Sequence, residues 1–184
     1  MTRNILITGG AGYIGSHVSE ILIKNKKKIF IFNNLSTGYR KLINRKAQFF
    51  KVNINNKKKL RSIIINNKID SVIHLAASLI IGEGEKNPKF YYKNNVLGTK
   101  SLISACINTK VKNFIFSSTA AVYKDGLYKV TEKSKLKPKS VYGKSKLKAE
   151  KLIIDHCRRN KINYGILRYF NIVGSSPSGK IGLI

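Results

Sequence analysis

The chain has very little cysteine and no long hydrophobic run. Its only cysteines are Cys106 and Cys157, which belong to no Cys-x-x-Cys or Cys/His cluster, so we expect both to be reduced structural residues. The three histidines are scattered and indicate no metal site. No apolar run approaches the ~20 residues that a membrane helix needs, and the first one is too short for a signal peptide. We therefore expect a cytoplasmic protein without a membrane partner.

Acidic residues are scarce as well. The chain has 8 Asp and Glu against 36 Lys and Arg, a net charge of +28. Such a surface attracts nucleic acid non-specifically. However, the basic residues are spread along the chain without interleaved aromatic residues, and Lys, Asn and Ile are over-used together, as an A/T-biased genome would produce. We therefore expect no specific nucleic-acid partner.

What the chain does contain is an alternation of strand-like and helix-like segments. Its 184 residues, of which 42% are hydrophobic, are enough for one domain with a core. The pattern predicts helices at 13–24, 57–65, 88–107 and 142–159, and strands at 4–8, 29–32, 47–52, 71–75, 113–117 and 163–168. Strands separated by helices predict an α/β fold of the Rossmann type, a doubly wound parallel sheet with helices on both faces.

A glycine-rich loop lies between the first predicted strand and the first helix. Gly9, Gly12 and Gly15 form a G-x-x-G-x-x-G spacing. The first glycine permits a tight turn, the second lets the backbone approach a pyrophosphate, and the third allows close packing of helix on strand. The helix N-terminus, at Tyr13 and Ile14, supplies N–H donors and a positive dipole for phosphates. The loop therefore predicts a dinucleotide site.

The position expected to contact the adenosine ribose holds Asn33. An acidic residue is expected there, ~20 residues past the loop. Asn also hydrogen-bonds a hydroxyl, but less strongly than a carboxylate does, and it lacks the charge that repels a 2′-phosphate. We expect NAD as the cofactor, while the choice between NAD and NADP stays open.

Tyr142 and Lys146 are spaced i, i+4 on a predicted helix, so they share a face. A nearby ammonium lowers the pKa of a tyrosine, which would let Tyr142 act as an acid and base near neutral pH. Lys is so common here that the pair alone proves little. Ser117 to Thr119 follow the fifth predicted strand, at the edge where such sheets bind ligands, and Thr119 could hydrogen-bond a substrate oxygen. Together with the glycine loop, these residues predict an active site.

These motifs resemble the extended short-chain dehydrogenase/reductase family, and within it the UDP-glucose 4-epimerases. The resemblance covers essentially the whole chain. It is carried by residues 8–15, 33–38, 74–77, 88 with 91–96, 116–123, 142–146 and 167–171.

The resemblance implies an isomerase that interconverts UDP-sugars, with galactose metabolism as its setting. Hydride would pass from sugar C4 to NAD⁺ and return to the other face. Tyr142 would transfer the hydroxyl proton, Thr119 orient the reacting oxygen, Lys146 hold the nicotinamide ribose, and Asn171 contact the UDP-sugar. The implied cofactor contacts are Gly9, Gly12, Tyr13, Ile14, Gly15, Asn33, Asn34, Asn53, Ile54, Leu75, Ala76, Ala77, Asn95, Ser117, Tyr142, Lys146 and Phe170.

The chain departs from the family pattern at several positions. Asn33 and Asn53 stand where the family has Asp. Ala120 and Ala121 stand where the related 4,6-dehydratases carry an Asp-Glu pair, and this argues against dehydration because Ala transfers no proton. The chain also covers only about the first half of a typical member. We therefore expect a dinucleotide-binding domain at 1–173, the start of a substrate-binding region at 174–184, and most of the C-terminal substrate lobe to be absent.

Three functional alternatives stay open. The first is an enzyme of epimerase ancestry, acting on UDP-glucose and UDP-galactose or on another UDP-sugar. The second is a truncated, non-catalytic dinucleotide-binding remnant, and the third is a basic nucleic-acid-binding module. The resemblance also makes a homodimer through the helices that begin at Pro88 and Tyr142 plausible.

Overall fold

Six parallel strands form one sheet in the computed structural model of the chain, which describes residues 3–126, 129–176, 179 and 181–182. Their order across the sheet is β3-β2-β1-β4-β5-β6. The predicted doubly wound fold is confirmed, and the strand order reverses between β1 and β4. In chain order the strands are β1 Asn4–Thr8, β2 Lys28–Asn33, β3 Gln48–Lys51, β4 Ser71–His74, β5 Asn113–Thr119 and β6 Asn163–Tyr169.

Helices connect the strands, and short 3-10 turns lie at Arg40–Leu42 and Ala120–Val122. The predicted helix over 88–107 is wrong in its middle, because a π-helical segment, Tyr92–Leu97, separates two α-helices there. A short helix at Ile81–Lys86 was not predicted, since its two glycines weaken the helical pattern. The α-helices are α1 Tyr13–Lys24, α2 Lys57–Asn66, α3 Ile81–Lys86, α4 Pro88–Tyr91, α5 Gly98–Cys106 and α6 Val141–Arg159.

The two faces of the sheet are covered differently. Because side chains alternate along a strand, Leu6, Phe30 and Phe114 point to one face and form the larger core with α2, α5 and α6. Ile5, Ile7, Ile29 and Ile31 point to the other face, where the smaller cluster includes residues of α1. The larger core therefore sits beneath the helices that carry the candidate site.

Local contacts set the ends of β5 and α6. The last two residues of β5, Ser118 and Thr119, pair with the end of β6, so the prediction that they follow the strand is wrong. The Ser140 hydroxyl accepts a hydrogen bond from the backbone N–H of Gly143 at 3.0 Å. This cap starts α6 one residue earlier than predicted.

Candidate active site

The glycine-rich loop connects β1 to α1 at the carboxyl edge of the sheet. Gly9 has a φ of +73°, and a Cβ added there would lie 2.8 Å from the backbone nitrogen of Ala76. A Cβ added at Gly15 would lie 2.3 Å from the carbonyl oxygen of Gly9. Both positions require glycine, because a side chain would push the loop away from the end of β4 or from α1.

Gly12 leaves the amino end of α1 open to a ligand. It occupies the N-cap position without a side-chain hydrogen bond. Among the described residues, only the carbonyl oxygen of Gly9 lies within 4 Å of a Cβ added at Gly12. The first-turn amides of Tyr13 and Ile14 and the dipole of α1 are thus available to a diphosphate. This cradle fits the dinucleotide that the sequence predicts.

Asn33, the residue predicted to contact the ribose, is the half-buried last residue of β2. Its side-chain oxygen accepts a hydrogen bond from the backbone N–H of Leu35 at 2.6 Å. Its amide nitrogen lies beside Gly38, 2.9 Å from a Cβ added there. Because the oxygen is already engaged, Asn33 offers a ligand mainly N–H donors, whereas an Asp would offer a second acceptor oxygen.

Asn34, Asn53 and Ile54 lie after the ends of β2 and β3. Asn34 and Asn53 are exposed, and each side-chain oxygen accepts a backbone N–H two residues further on, at 3.1 and 2.9 Å. Ile54 packs toward α5, where a Cβ added at Gly98 would approach it to 2.6 Å. Ile54 therefore holds this segment on α5, while the two asparagines stay accessible.

Leu75, Ala76 and Ala77 follow β4 and are half-buried. The backbone N–H of Ala76 donates to the side-chain oxygen of Thr8 at 3.3 Å. Because Gly9 follows Thr8 directly and also lies against Ala76, the end of β4 and the glycine loop form one continuous wall of the site.

Asn95 connects this wall to α6. It lies in the π-helical segment and is only 2% exposed. Its side-chain nitrogen donates to the carbonyl oxygen of Ser78 at 2.9 Å and to the hydroxyl of Ser145 at 3.1 Å. The Ser145 hydroxyl in turn donates to the carbonyl oxygen of Tyr142 at 2.7 Å. Asn95 therefore joins the segment after β4 to α6.

Tyr142 and Thr119 meet where α6 approaches the end of β5. A Cβ added at Gly143 would lie 2.5 Å from the carbonyl oxygen of Ala121, so glycine permits this approach. The hydroxyl oxygen of Thr119 accepts a hydrogen bond from the Ala121 N–H at 3.2 Å. Ser117 is half-buried two residues earlier on the same strand. The two predicted polar groups at the end of β5 thus adjoin the start of α6.

Burial is the main influence on the pKa of Tyr142 and raises it above the usual value for tyrosine. A hydrogen bond with the Thr119 side chain lowers this pKa, and interaction with Tyr91 raises it. The sequence predicted that Lys146 would lower the pKa of Tyr142. The structure instead assigns that effect to Thr119.

Lys146 itself is buried, with 2% of its surface exposed. Its ammonium nitrogen lies 4.3 Å from the centre of the Phe116 ring. Burial lowers its pKa to about 7, against the opposing effect of Glu150. Lys146 therefore changes charge near neutral pH.

A buried ion pair joins α6 to β6. Glu150 is 1% exposed and accepts two hydrogen bonds from Arg168 of β6, at 2.8 and 3.1 Å. It also accepts one from the hydroxyl of Ser118. The hydrogen bonds to Glu150 raise the pKa of Arg168. The sequence analysis missed this pair, because the two residues are 18 positions apart on different elements.

Phe170 and Asn171 follow β6 at the same edge of the sheet. Phe170 is 66% exposed and Asn171 is also exposed. The hydroxyl of Tyr13 donates to the carbonyl oxygen of Gly174 at 2.7 Å. The segment after β6 therefore returns to the glycine loop.

A second group of residues missed by the sequence analysis lies beneath the site. The side-chain oxygen of Thr8 is 2.7 Å from Nδ1 of His74, and Nε2 of His74 is 2.9 Å from the hydroxyl of Thr99. Burial, reinforced by the charge of Lys146, lowers the pKa of His74 to about 3. The motif at 74–77 was the only sequence signal for this group.

Among the described residues, no group of three or more His, Cys, Asp and Glu could hold a metal ion. Cys106 and Cys157 are free and buried, and burial raises the pKa of both thiols. In the same part of the chain, no helix combines the length and apolar character needed to cross a membrane.

The fold and this site belong to a known class of protein. Residues 5–183 match the NAD dependent epimerase/dehydratase family, and the chain belongs to that family. The family predicted from the motifs is confirmed, and its description names the cofactor predicted for the glycine loop.

Individual members of the family are similar along nearly the whole chain. UDP-glucose 4-epimerase of Lactobacillus helveticus is 40% identical over 181 residues, which are 97% of this chain and 54% of that protein. The crystal structure of UDP-glucose 4-epimerase from Brucella ovis in complex with NAD has a TM-score of 0.95 at 36% identity, and the match covers 100% of this chain and 56% of that chain. The UDP-Glc/GlcNAc 4-epimerase from Campylobacter jejuni has a TM-score of 0.89 at 39% identity, with 93% and 54% covered. The chain thus spans about half the length of the curated relatives it matches.

Proposed function

We propose that this chain forms the cofactor-binding and proton-transferring half of a UDP-sugar 4-epimerase that interconverts UDP-glucose and UDP-galactose with NAD. One observation carries the proposal. The Tyr142 side chain interacts with that of Thr119, where α6 approaches the end of β5 at Gly143, at the edge of the sheet that also holds the open glycine cradle. The similarity to epimerases over 97% of the chain supports the same conclusion.

The residues divide the work as follows. The first-turn amides of Tyr13 and Ile14 bind the diphosphate, and Asn33 donates to the adenosine ribose. Bound NAD supplies the acceptor, and then the donor, for the hydrogen at sugar C4. Tyr142 takes the proton of the 4-hydroxyl at its phenolic oxygen and later returns it. Thr119 orients that oxygen.

Lys146 compensates the negative charge that forms on Tyr142 during proton transfer. With a pKa of about 7 it is partly protonated at neutral pH, so it gains its proton readily when a negative phenolate forms nearby. The ribose hydroxyls of the bound dinucleotide are the hydrogen-bond partners that we propose for it. Phe170 and Asn171, on the exposed segment after β6, are proposed to contact the cofactor and the UDP-sugar respectively.

The site disfavours dehydration and leaves the choice of sugar to other residues. Ala120 and Ala121 form the turn directly after Thr119, and neither carries a group that could protonate a leaving hydroxyl. The Campylobacter jejuni relative is named for both UDP-Glc and UDP-GlcNAc. An N-acetylated UDP-sugar is therefore the alternative substrate to test.

The test is a comparison of NAD binding and of UDP-galactose conversion in the wild type, Tyr142→Phe and Tyr164→Phe. Tyr164 lies on β6 and is 36% exposed, so its substitution is the matched control. We expect Tyr142→Phe to lower turnover at least ~100-fold while NAD binding stays within about twofold. The Tyr164→Phe variant should behave as wild type.

The other outcomes are equally informative. Turnover that Tyr142→Phe leaves unchanged would reject the mechanism. Tight NAD binding without conversion of any UDP-sugar would favour the dinucleotide-binding remnant.

Domain organisation and assembly form a second part of the proposal. We propose that the dinucleotide-binding domain ends near residue 173 and that a substrate-binding region begins at 174. We also propose that the protein acts in the cytoplasm. A homodimer through the helices that begin at Pro88 and Val141 is supported by the exposure of Phe90, Tyr92 and Leu97. Light scattering at several concentrations tests the dimer, and a monomer throughout would reject it.

A further inference from the structure

A line of buried hydrogen bonds runs beneath the site from the end of β1 to the π-helical segment. It joins the side chains of Thr8, His74 and Thr99, which are 2%, 1% and 1% exposed. It ends where the Thr99 hydroxyl meets the carbonyl oxygen of Asn95 at 2.6 Å. Each bond is short and buried, so each group depends on this line for its partner.

The carbonyl oxygen of Asn95 fixes the direction of both bonds at Thr99. A carbonyl oxygen only accepts, so the single hydroxyl proton of Thr99 must go to Asn95. Thr99 must therefore accept from His74, which places a proton on Nε2. At the other end, the backbone N–H of Ala76 donates to the oxygen of Thr8, and the hydroxyl proton of Thr8 is free to go to Nδ1.

A neutral imidazole is the only form that satisfies all of these bonds. With protons on both ring nitrogens, His74 would donate at both ends, and the proton of Thr8 would lose its acceptor within this line. The surroundings also oppose a charge: Phe114 and Phe116 pack against the ring, with centroids at 6.1 and 5.4 Å. The depressed pKa of His74 agrees with this assignment.

The line continues to the catalytic helix through Asn95. The oxygen of the Asn95 side chain accepts the backbone N–H of Ser78 at 2.8 Å, while its nitrogen donates to Ser145 of α6. Ser145 bonds to the carbonyl oxygen of Tyr142. Thr99 contacts the backbone of this same asparagine, so a displaced Thr99 displaces the group that holds α6.

We propose that His74 is a positioning residue. Held as a neutral imidazole with its proton on Nε2, it ties the glycine-loop edge at Thr8 to Thr99 in the first turn of α5, and through Thr99 to Asn95 of the π-helical segment. Through Asn95 and Ser145 it sets where Tyr142 stands relative to that loop. The proposal rests on the proposed function only in treating Tyr142 as the catalytic group, because the hydrogen bonds stand without it.

The first test is the protonation state of His74, measured by nitrogen NMR of the histidine ring in the full chain. We expect a neutral ring protonated on Nε2 at pH 7. A ring protonated on Nδ1, or on both nitrogens, would overturn the proposal. This test involves neither cofactor nor substrate, so failure of the proposed function does not affect it.

The second test compares Thr99→Val with Thr99→Ser, which keeps the hydroxyl. In Thr99→Val we expect the side-chain amide signals of Asn95 to shift and the NMR titration midpoint of the Tyr142 phenol to move. Thr99→Ser should keep both at their wild-type values. A purely structural role would lower the melting temperature of Thr99→Val without moving the titration of Tyr142, and that result would contradict the proposal.

A third variant covers the case in which Thr99→Val does not fold. His74→Gln keeps one donor and one acceptor, so the titration midpoint of the Tyr142 phenol should stay close to its wild-type value. In His74→Phe the midpoint should move. In protein that turns over UDP-galactose, His74→Phe should lower kcat roughly 10- to 100-fold with little change in the Kd for NAD. An equal loss in His74→Gln and His74→Phe would overturn the hydrogen-bonding role.

Discussion

The two sides of the candidate site are built by different means. On the β1 side, backbone atoms form the cradle, and Gly9 and Gly15 matter because no other residue fits beside Ala76 or the Gly9 carbonyl. On the α6 side, side chains form the site: the Tyr142 phenol interacts with Thr119, and the backbone carbonyl of Tyr142 accepts a hydrogen bond from Ser145. A backbone cradle is encoded within a few adjacent residues, whereas the α6 side depends on contacts between distant segments.

The most damaging change to the backbone side should be Gly15→Val. Its Cβ would lie 2.3 Å from the Gly9 carbonyl oxygen and 2.7 Å from the Cα of Gly10, so the loop or α1 must move. We expect NAD binding to be lost and unfolding in urea to become easier by about 4 kcal/mol or more. Gly165→Ala is the matched control, because a Cβ added there meets no atom within 4 Å. Wild-type NAD affinity in Gly15→Val would show that the cradle does not hold the cofactor.

Acid should lower the stability that the buried His74 side chain gives to the fold. The pKa of His74 falls from 6.5 to about 3 on folding, so between these pH values the unfolded chain binds a proton that the folded chain does not. Stability contributed by neutral His74 is therefore lost as pH falls from 6.5 toward 3, by up to about 4–5 kcal/mol. Urea unfolding of wild type and His74→Gln across this range measures the difference. Parallel curves for the two proteins would contradict it.

The smallest expected effect sharpens the cofactor side. In Asn33→Asp the carboxylate keeps an oxygen for the N–H of Leu35 and gains a second for the ribose hydroxyls. We expect about tenfold tighter binding of NAD and weaker binding of NADP, because the new charge repels a 2′-phosphate. Calorimetric titration with both dinucleotides measures this. If NADP binding also tightens, Asn33 does not face the ribose.

The same division explains how far the sequence carries. The strands, the glycine loop and the spacing of Tyr142 and Lys146 follow local patterns, so they are predictable. The hydrogen bonds of Asn95 to Ser145 and of His74 to Thr99 join residues 50 and 25 positions apart. No periodic pattern in the sequence predicts such contacts. The depressed pKa of Lys146 likewise arises from its burial where α6 packs on Phe116 of β5, which only the folded chain creates.

In the proposed reaction Tyr142 moves only the hydroxyl proton, while the hydrogen on C4 of the sugar stays within the site. The most direct measurement uses UDP-galactose carrying deuterium at C4, with the chain and NAD in ordinary water, and mass spectrometry of the UDP-glucose formed. We expect the product to keep its deuterium at C4 and Tyr142→Phe to form almost no product. Loss of the deuterium to water, or equal product from Tyr142→Phe, would contradict it.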